Sequence, residues 1–221
     1  MANPKNQSSD AEDVTFGDGL HGTIGGRAEQ GAVLISHGAG GSKDTPFLKS
    51  IASSLEEIGF LTLRWNFGYV DSGRVASAGG KKELPEMQCA IEFLKARAPA
   101  VPLILLGKSF GGRVSTYVGQ DRDDIAAYVF LGLPLQSMNA NGKPRDWSHM
   151  AKLAGKLLFI TGDKDKLCPL EQLKDVQKSV LVPYKSVVVP GGHSYSQKGT
   201  KQALSELILW MDETFACGAL R

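Results

Sequence analysis

The sequence has no apolar run long enough to cross a membrane, and its first residues lack the apolar core of a signal peptide. It has only three cysteines, Cys89, Cys168 and Cys217, which lie far apart and at spacings unlike those of metal sites. Because an odd number of scattered cysteines is typical of a reducing compartment, we expect a cytoplasmic protein that has no membrane partner.

An excess of charge of one sign is also missing, since 25 Lys and Arg residues face 23 Asp and Glu residues and give a formal net charge of +2. No cluster of basic residues with interleaved aromatic residues is present, so we expect no nucleic-acid partner. A hydrophobic content of 42% and a charged content of 22% are ordinary for a globular protein. No feature of the sequence indicates an oligomeric state.

Apolar residues instead alternate between two patterns along the chain. Short apolar runs that are typical of strands lie at 32–36, 60–65, 101–106, 125–131, 156–161 and 185–189. Helical spacing follows at 47–58, 87–94, 114–118, 170–180 and 204–215. Residues 14–16 and 20–24 predict a hairpin at the sheet edge, and the stretches 71–82 and 133–149 read as surface loops, with one short helix near Trp147.

Strands that alternate with helices predict right-handed βαβ units and a parallel sheet between two helical layers. The expected fold is therefore α/β: a three-layer α/β/α sandwich with a mostly parallel, doubly wound sheet and no large cap domain. We expect one domain over residues 13–221, preceded by a disordered tail at residues 1–12.

The stretch 103–114 carries the first chemical signal. Four apolar residues run into Gly107-Lys108-Ser109-Phe110-Gly111, and a helical pattern follows directly. A Gly-x-Ser-x-Gly turn between a strand and a helix is typical of a nucleophile elbow, in which Ser109 is strained and exposed above the sheet. Gly107 and Gly111 are expected where a Cβ would clash.

Gly107-Lys108-Ser109 in the same stretch also matches the last three residues of a phosphate-binding loop, Gly-x-x-x-x-Gly-Lys-Ser. That motif needs a glycine five residues before Gly107, but Pro102 occupies the position and the interval reads as a strand. A nucleotide site is therefore not favoured.

Two further strand ends supply partners for the serine. Asp163 and Asp165 follow the run 156–161, and His193 follows the run 185–189. The carboxyl ends of parallel strands open on one edge of the sheet, so these side chains are expected beside Ser109. The chain order serine, aspartate, histidine is that of α/β-hydrolases.

Each residue type suits one role in nucleophilic catalysis. A serine hydroxyl needs a base such as His193, and the histidine needs a carboxylate that fixes its tautomer. Asp165 is favoured over Asp163, because an aspartate directly after Gly162 is well placed to form the turn itself. The other histidines compete poorly: they are His21 in the hairpin, His37 in a glycine loop that it more plausibly braces, and His149 in the polar insertion.

The chain resembles the α/β-hydrolase superfamily from about Val14 onward, and more narrowly its small, lidless, dienelactone-hydrolase-like members, including a testis-expressed animal protein. The segments that carry the resemblance are 37–41, 64–69, 107–113, 132–135 and 162–169. The family pattern Gly-x-x-Asp-x-x-x-Pro falls on Gly162, Asp165 and Pro169. Dienelactone hydrolases proper use a cysteine nucleophile where this chain has Ser109.

The resemblance also implies an oxyanion hole, with one donor from the N–H of Phe110 and another from Ala39, or from Gly40 as the alternative. Four polar residues near the expected site either bind a polar or anionic substrate group or brace the loops. They are Arg64, Asn66, Tyr69 and Lys108. Cys168 is expected to be a buried structural thiol.

The sequence thus predicts a serine hydrolase that cleaves a small ester or thioester through an acyl-enzyme and needs no cofactor or metal. Two alternatives stay open at this point. One is a binding or scaffold protein that keeps the fold, and the other is an acyltransferase in which a second nucleophile replaces water.

Overall fold

The computed structural model describes residues 11–137 and 145–216, and these residues contain an eight-stranded sheet with helices on both faces. The strands are β1 (Glu12–Phe16), β2 (Leu20–Gly26), β3 (Gly31–Ser36), β4 (Phe60–Trp65), β5 (Leu103–Lys108), β6 (Ile125–Leu131), β7 (Lys156–Gly162) and β8 (Tyr184–Val189). The helices are α1 (Pro46–Glu57), α2 (Gly68–Asp71), α3 (Glu83–Arg97), α4 (Phe110–Gly119), α5 (Leu170–Lys178) and α6 (Gln197–Phe215), with a 3₁₀ turn at Ser148–Lys152.

The sheet order is β1-β2-β4-β3-β5-β6-β7-β8. The pairs β1–β2 and β2–β4 are antiparallel, and every other pair is parallel, so the predicted hairpin lies at one edge. The carboxyl ends of β3 to β8 consequently open on the same side of the molecule, which is where ligands bind in such sheets.

Alternate residues of each central strand supply two separate hydrophobic clusters. Val33 and Ile35 of β3 face the layer that α1 and α6 form, whereas Leu34 packs in the opposite cluster with residues of α3, α4 and α5. Strands that are buried on both faces need apolar residues at every position, and this explains the uninterrupted runs in the sequence. The three-layer α/β sandwich is confirmed, and across the described residues no connection forms a large cap.

Several boundaries differ from the sequence prediction. β1 already includes Glu12, the last residue of the predicted tail, while residues 1–10 lie outside the described part of the chain. The expected loop 71–82 is preceded by the four-residue helix α2, which is too short to show a helical period. The 3₁₀ turn corresponds to the short helix expected near Trp147, and residues 138–144 of the predicted polar loop also lie outside the described residues.

Candidate active site

The turn between β5 and α4 is as tight as the Gly-x-Ser-x-Gly pattern predicts. A Cβ on Gly107 would lie 2.1 Å from the Gly112 nitrogen, and one on Gly111 would lie 2.6 Å from the Ser36 carbonyl oxygen. Ser109 has a φ of 51°, a conformation that non-glycine residues adopt only when their surroundings enforce it.

Backbone hydrogen bonds hold Ser109 in that conformation. Its N–H donates to the Leu131 carbonyl at the end of β6 over 3.0 Å, and its own carbonyl accepts from the Arg113 N–H over 3.0 Å. The Gly111 N–H donates to the His37 carbonyl, which joins the elbow to the loop after β3. The backbone at Ser109 is therefore fixed relative to β3, β5 and β6.

Ser109, His193 and Asp165 form a continuous chain of hydrogen bonds. The Ser109 hydroxyl lies 2.7 Å from His193 Nε2, and His193 Nδ1 lies 2.9 Å from Asp165 Oδ2. The Asp165 side chain is fully buried, whereas 26% of the His193 side chain is exposed. With the proton on Nδ1, the imidazole presents its free Nε2 lone pair to the serine, as a general base requires.

The two candidate aspartates have separate partners. Asp165 Oδ1 accepts from the Leu167 and Cys168 N–H groups over 2.8 and 3.2 Å, which leaves Oδ2 for His193. Asp163 Oδ1 accepts from the Gly191 N–H over 2.6 Å and so ties the two loops together. The structure thus brings Asp165, and not Asp163, to the histidine.

The environment of Asp165 keeps it ionised. Burial by itself would raise the pKa of this carboxyl, but the hydrogen bond and the charge of His193, the Leu167 N–H and the Lys108 ammonium together hold it below its ordinary value. A carboxylate in this state stabilises a positive charge on the imidazole.

The loop after β3 offers backbone donors beside the serine. Gly38 packs against Ser109, since a Cβ on Gly38 would lie 3.5 Å from the Ser109 Cβ. Among the described residues, neither the Ala39 nor the Phe110 N–H has a hydrogen-bond acceptor. Both N–H groups are therefore free donors, and their role as an oxyanion hole stays a prediction.

His37 braces this loop. Its Nδ1–H donates to the Gly38 carbonyl over 2.7 Å, and its Nε2 accepts from the Phe67 N–H over 3.2 Å. Burial lowers the pKa of His37, which favours the neutral imidazole that this pair of bonds requires.

Four polar residues near the site were expected either to bind substrate or to brace the loops, and each of them contacts another part of the protein. The Arg64 guanidinium donates to the Lys43 carbonyl over 2.5 Å, and Asn66 bridges the Lys43 N–H and the Asp71 carboxylate. Tyr69 is buried, with its hydroxyl 3.5 Å from the Gly38 carbonyl. Lys108 donates to the His193 carbonyl over 2.6 Å. These contacts favour the bracing role over substrate binding.

A cleft of about 360 Å³ opens beside Ser109. Its walls come from the loop 76–79, from the segment after β6 and from α4, and they include Ala39, Phe110 and two arginines, Arg113 and Arg145. Sequence reasoning gave these arginines no role, although Arg113 stands inside the Gly-Lys-Ser-Phe-Gly-Gly-Arg segment. Residues 11–137 and 145–216 contain no group of three metal-ligating side chains.

Cys168 lies under the acid loop, buried beside Thr161. Burial raises the pKa of its thiol to about 12, so the thiolate form is scarce near neutral pH. This environment is that of a structural thiol, in line with the sequence interpretation.

Comparison with known proteins identifies the fold independently. A family model described as an alpha/beta hydrolase domain matches residues 29–211. A monoglyceride lipase homolog of Monkeypox virus is 28% identical over 163 residues, which make up 71% of this chain but only 56% of the viral protein. The chain thus spans little more than half the length of that relative.

Solved structures agree over a larger share of the chain. A dienelactone hydrolase from Anabaena variabilis superposes with a TM-score of 0.74 at 17% identity, covering 93% of this chain and 97% of that one. An esterase from Pyrococcus furiosus superposes with a TM-score of 0.77 at 18% identity, covering 98% and 97%. At such identities the likeness establishes the fold. Among the helices of residues 11–137 and 145–216, none combines the length with the apolar character that a membrane span requires.

Proposed function

This chain belongs to the alpha/beta hydrolase family, and from that premise we propose that it is a serine hydrolase acting on a small carboxylic ester or thioester. The observation that carries the proposal is the hydrogen-bonded chain from Ser109 through His193 to Asp165. A binding protein that merely kept the fold would have no need of a strained serine, a free imidazole lone pair and a buried carboxylate in line.

The first half of the reaction forms an acyl-enzyme. Ser109 Oγ attacks the substrate carbonyl carbon while His193 Nε2 takes its proton, and the N–H groups of Ala39 and Phe110 hold the resulting oxyanion. The Asp165 carboxylate stabilises the imidazolium. When the tetrahedral intermediate collapses, His193 returns the proton to the leaving alkoxide or thiolate, which departs as an alcohol or a thiol.

The second half releases the acid by the same route. A water molecule attacks the acyl-Ser109 carbonyl while His193 removes its proton, and the histidine then gives that proton back to the serine oxygen. The cleft is open, so small or protruding acyl groups have the best access. The described cysteines, Cys89 and Cys168, are free thiols, which supports a reducing cytoplasmic location.

The proposal is tested by the hydrolysis of short aryl esters and thioesters. Ser109→Ala should fold normally and lose at least roughly 10⁴-fold in kcat. Ser50→Ala is a matched control, because it removes an exposed hydroxyl that bonds only to the Pro46 carbonyl of its own helix, and it should keep full activity. If Ser109→Ala hydrolyses these substrates within tenfold of the unmodified protein, the mechanism is wrong.

A further inference from the structure

The cleft beside Ser109 is lined by Arg113, whose guanidinium carbon lies 5.1 Å from the centre of the Phe110 ring in a cation–π contact. Arg113 lies one helical turn after the serine on α4, and its residue is only 5% exposed. Its buried Nε has no hydrogen-bond acceptor, and none of the ion pairs among the described residues includes its guanidinium. Buried charged side chains are normally paired with an opposite charge, so the charge of Arg113 remains available to an anionic ligand in the cleft that it lines.

A second arginine lines the same cleft. The Arg145 backbone N–H donates to the Leu135 carbonyl over 3.1 Å and fixes the main chain beside the segment after β6. Its side-chain Nε is also buried without an acceptor among residues 11–137 and 145–216. Two guanidinium groups therefore border one cavity, and no carboxylate in the described part of the chain is bound to either.

The charge of the nearby Glu83 opposes the lowering of the Arg113 pKa, but the Glu83 carboxylate forms no ion pair with either arginine among the described residues. Glu83, the acidic residue that bears electrostatically on Arg113, accepts hydrogen bonds from the Ser77 N–H over 2.8 Å and from the Ser77 hydroxyl. Burial, together with the like charge of Arg145, lowers the pKa of Arg113. An anion between the two guanidinium groups would offset that repulsion and would accept hydrogen bonds from the N–H groups that face the cleft.

We propose that Arg113 and Arg145 form a binding site for an anionic oxygen group of the substrate, either a carboxylate or a phosphate-type group. The inference rests on the proposed hydrolase function and adds a substrate class to it, namely esters or thioesters that carry a negative charge a few bonds from the scissile carbonyl. Planar guanidinium groups suit both oxyanions, because each presents paired N–H donors. The 360 Å³ cleft has room for a small acyl group that carries such a charge.

The test compares three 4-nitrophenyl esters of one chain length: the hydrogen adipate, the 5-phosphonopentanoate and the neutral methyl adipate. The unmodified protein should give a higher kcat/KM for at least one anionic ester than for the neutral one. Arg113→Gln and Arg145→Gln should each reduce that preference by roughly 10- to 100-fold. A purely structural role would instead lower the rates of all three esters together.

Arg97→Gln is the matched control, since it removes an equal charge from an exposed position on α3 outside the cleft, and it should leave the preference unchanged. Neutral-ester hydrolysis without any preference for the anionic esters would overturn the anion site and leave the hydrolase proposal intact. A preference for the anionic esters that persists in both Arg113→Gln and Arg145→Gln would likewise overturn the anion site and leave the hydrolase proposal intact.

Failure of the hydrolase proposal would show itself differently, as the absence of turnover for every ester. The anion site is then decided by calorimetric titration of adipate and 5-phosphonopentanoate into Ser109→Ala protein. Binding that weakens at least tenfold on adding Arg113→Gln supports the site. Absence of binding at millimolar concentration refutes it.

Discussion

At the scale of single residues, Asp165 and Asp163 provide a natural comparison. They lie two positions apart in one loop, yet only Asp165 bonds to His193, whereas Asp163 holds the Gly191 N–H. Asp165→Asn keeps the size of the side chain but offers the imidazole no charge, and its amide favours the wrong tautomer. We expect kcat to fall by roughly 10³- to 10⁴-fold, measured on a neutral aryl ester.

Asp163→Asn serves as the control for that experiment, because its neutral amide oxygen still accepts from the Gly191 N–H. Its kcat should stay within about tenfold of the unmodified protein. Equal losses in the two variants would mean that the loop as a whole, and not the Asp165 carboxylate, supports the histidine.

Lys108 gives the site a pH-dependent contribution to stability. Burial lowers the pKa of its ammonium group to about 8 from 10.5, although the nearby Asp165 carboxylate opposes the shift. Between those values the unfolded chain keeps the proton and the folded chain releases it, so this residue makes the free energy of unfolding rise with pH. Lys108→Met lacks this titration.

The stability of the unmodified protein relative to Lys108→Met should therefore increase by on the order of 3 kcal/mol between about pH 7 and pH 11. Urea unfolding at a series of pH values measures it. The control is Lys174→Met, which removes an exposed lysine of α5, and its difference from the unmodified protein should stay nearly constant. Parallel pH profiles for all three proteins would refute the burial of a charge at Lys108.

Sequence reasoning placed Ser109, His193 and the aspartate pair at one edge, because each directly follows a strand and parallel strands end together. It left the roles of Lys108, Arg64 and Asn66 open, because a polar side chain near a site binds either substrate or backbone according to partners distant in sequence. The partners of Lys108 and Asn66, His193 and Lys43, lie 85 and 23 positions away. Arg113 received no role because nothing local marks an arginine as unpaired.

At the scale of elements, the elbow depends on two backbones in close contact. A Cβ on Gly107 would lie 2.1 Å from the Gly112 nitrogen, and neither β5 nor the start of α4 is free to retreat. Gly107→Ala should lower the free energy of unfolding by at least about 2–3 kcal/mol and abolish the hydrolysis of aryl esters. Chemical denaturation and activity assays measure both effects.

Gly40→Ala is the matched control, since no atom lies within 4 Å of a Cβ at that position. Its stability should stay within about 0.5 kcal/mol of the unmodified protein. If Gly107→Ala proves equally harmless, the elbow is more adaptable than its packing indicates.

Elements with long apolar runs or clear helical periods were predictable, because burial on both faces of β3 or on one face of α6 demands those patterns. The ends of the elements were less predictable. The apolar run 101–106 predicts a strand from residue 101, but β5 begins at Leu103. The helical pattern 170–180 predicts a helix to residue 180, but α5 ends at Lys178. These ends are set by hydrogen bonds to neighbouring strands and loops, which leave no period in the sequence.

At the scale of the whole molecule, all eight strands of the described residues belong to a single sheet. The two hydrophobic clusters cover opposite faces of one sheet and share the strands β3 to β7, so unfolding of one cluster exposes strands on which the other depends. We propose a single domain and expect one calorimetric unfolding transition whose van't Hoff and calorimetric enthalpies agree. Two separated transitions would contradict this prediction.

The order of the strands in the sheet could not be predicted from the sequence. Alternating strands and helices indicate a doubly wound sheet, but the exchange of β3 and β4 depends on which strand edges pair, and every central strand is similarly apolar. The candidate site was predictable nevertheless, because any parallel order brings the same strand ends to one edge.

The central claim is that Ser109 is an activated nucleophile, and it is tested most directly by the intact mass of the protein after treatment with a neutral fluorophosphonate. The account predicts one adduct on the unmodified protein, none on Ser109→Ala and a rate at least roughly 10³-fold lower on His193→Ala. A folded protein that forms no adduct, or an adduct that persists in Ser109→Ala, would contradict it.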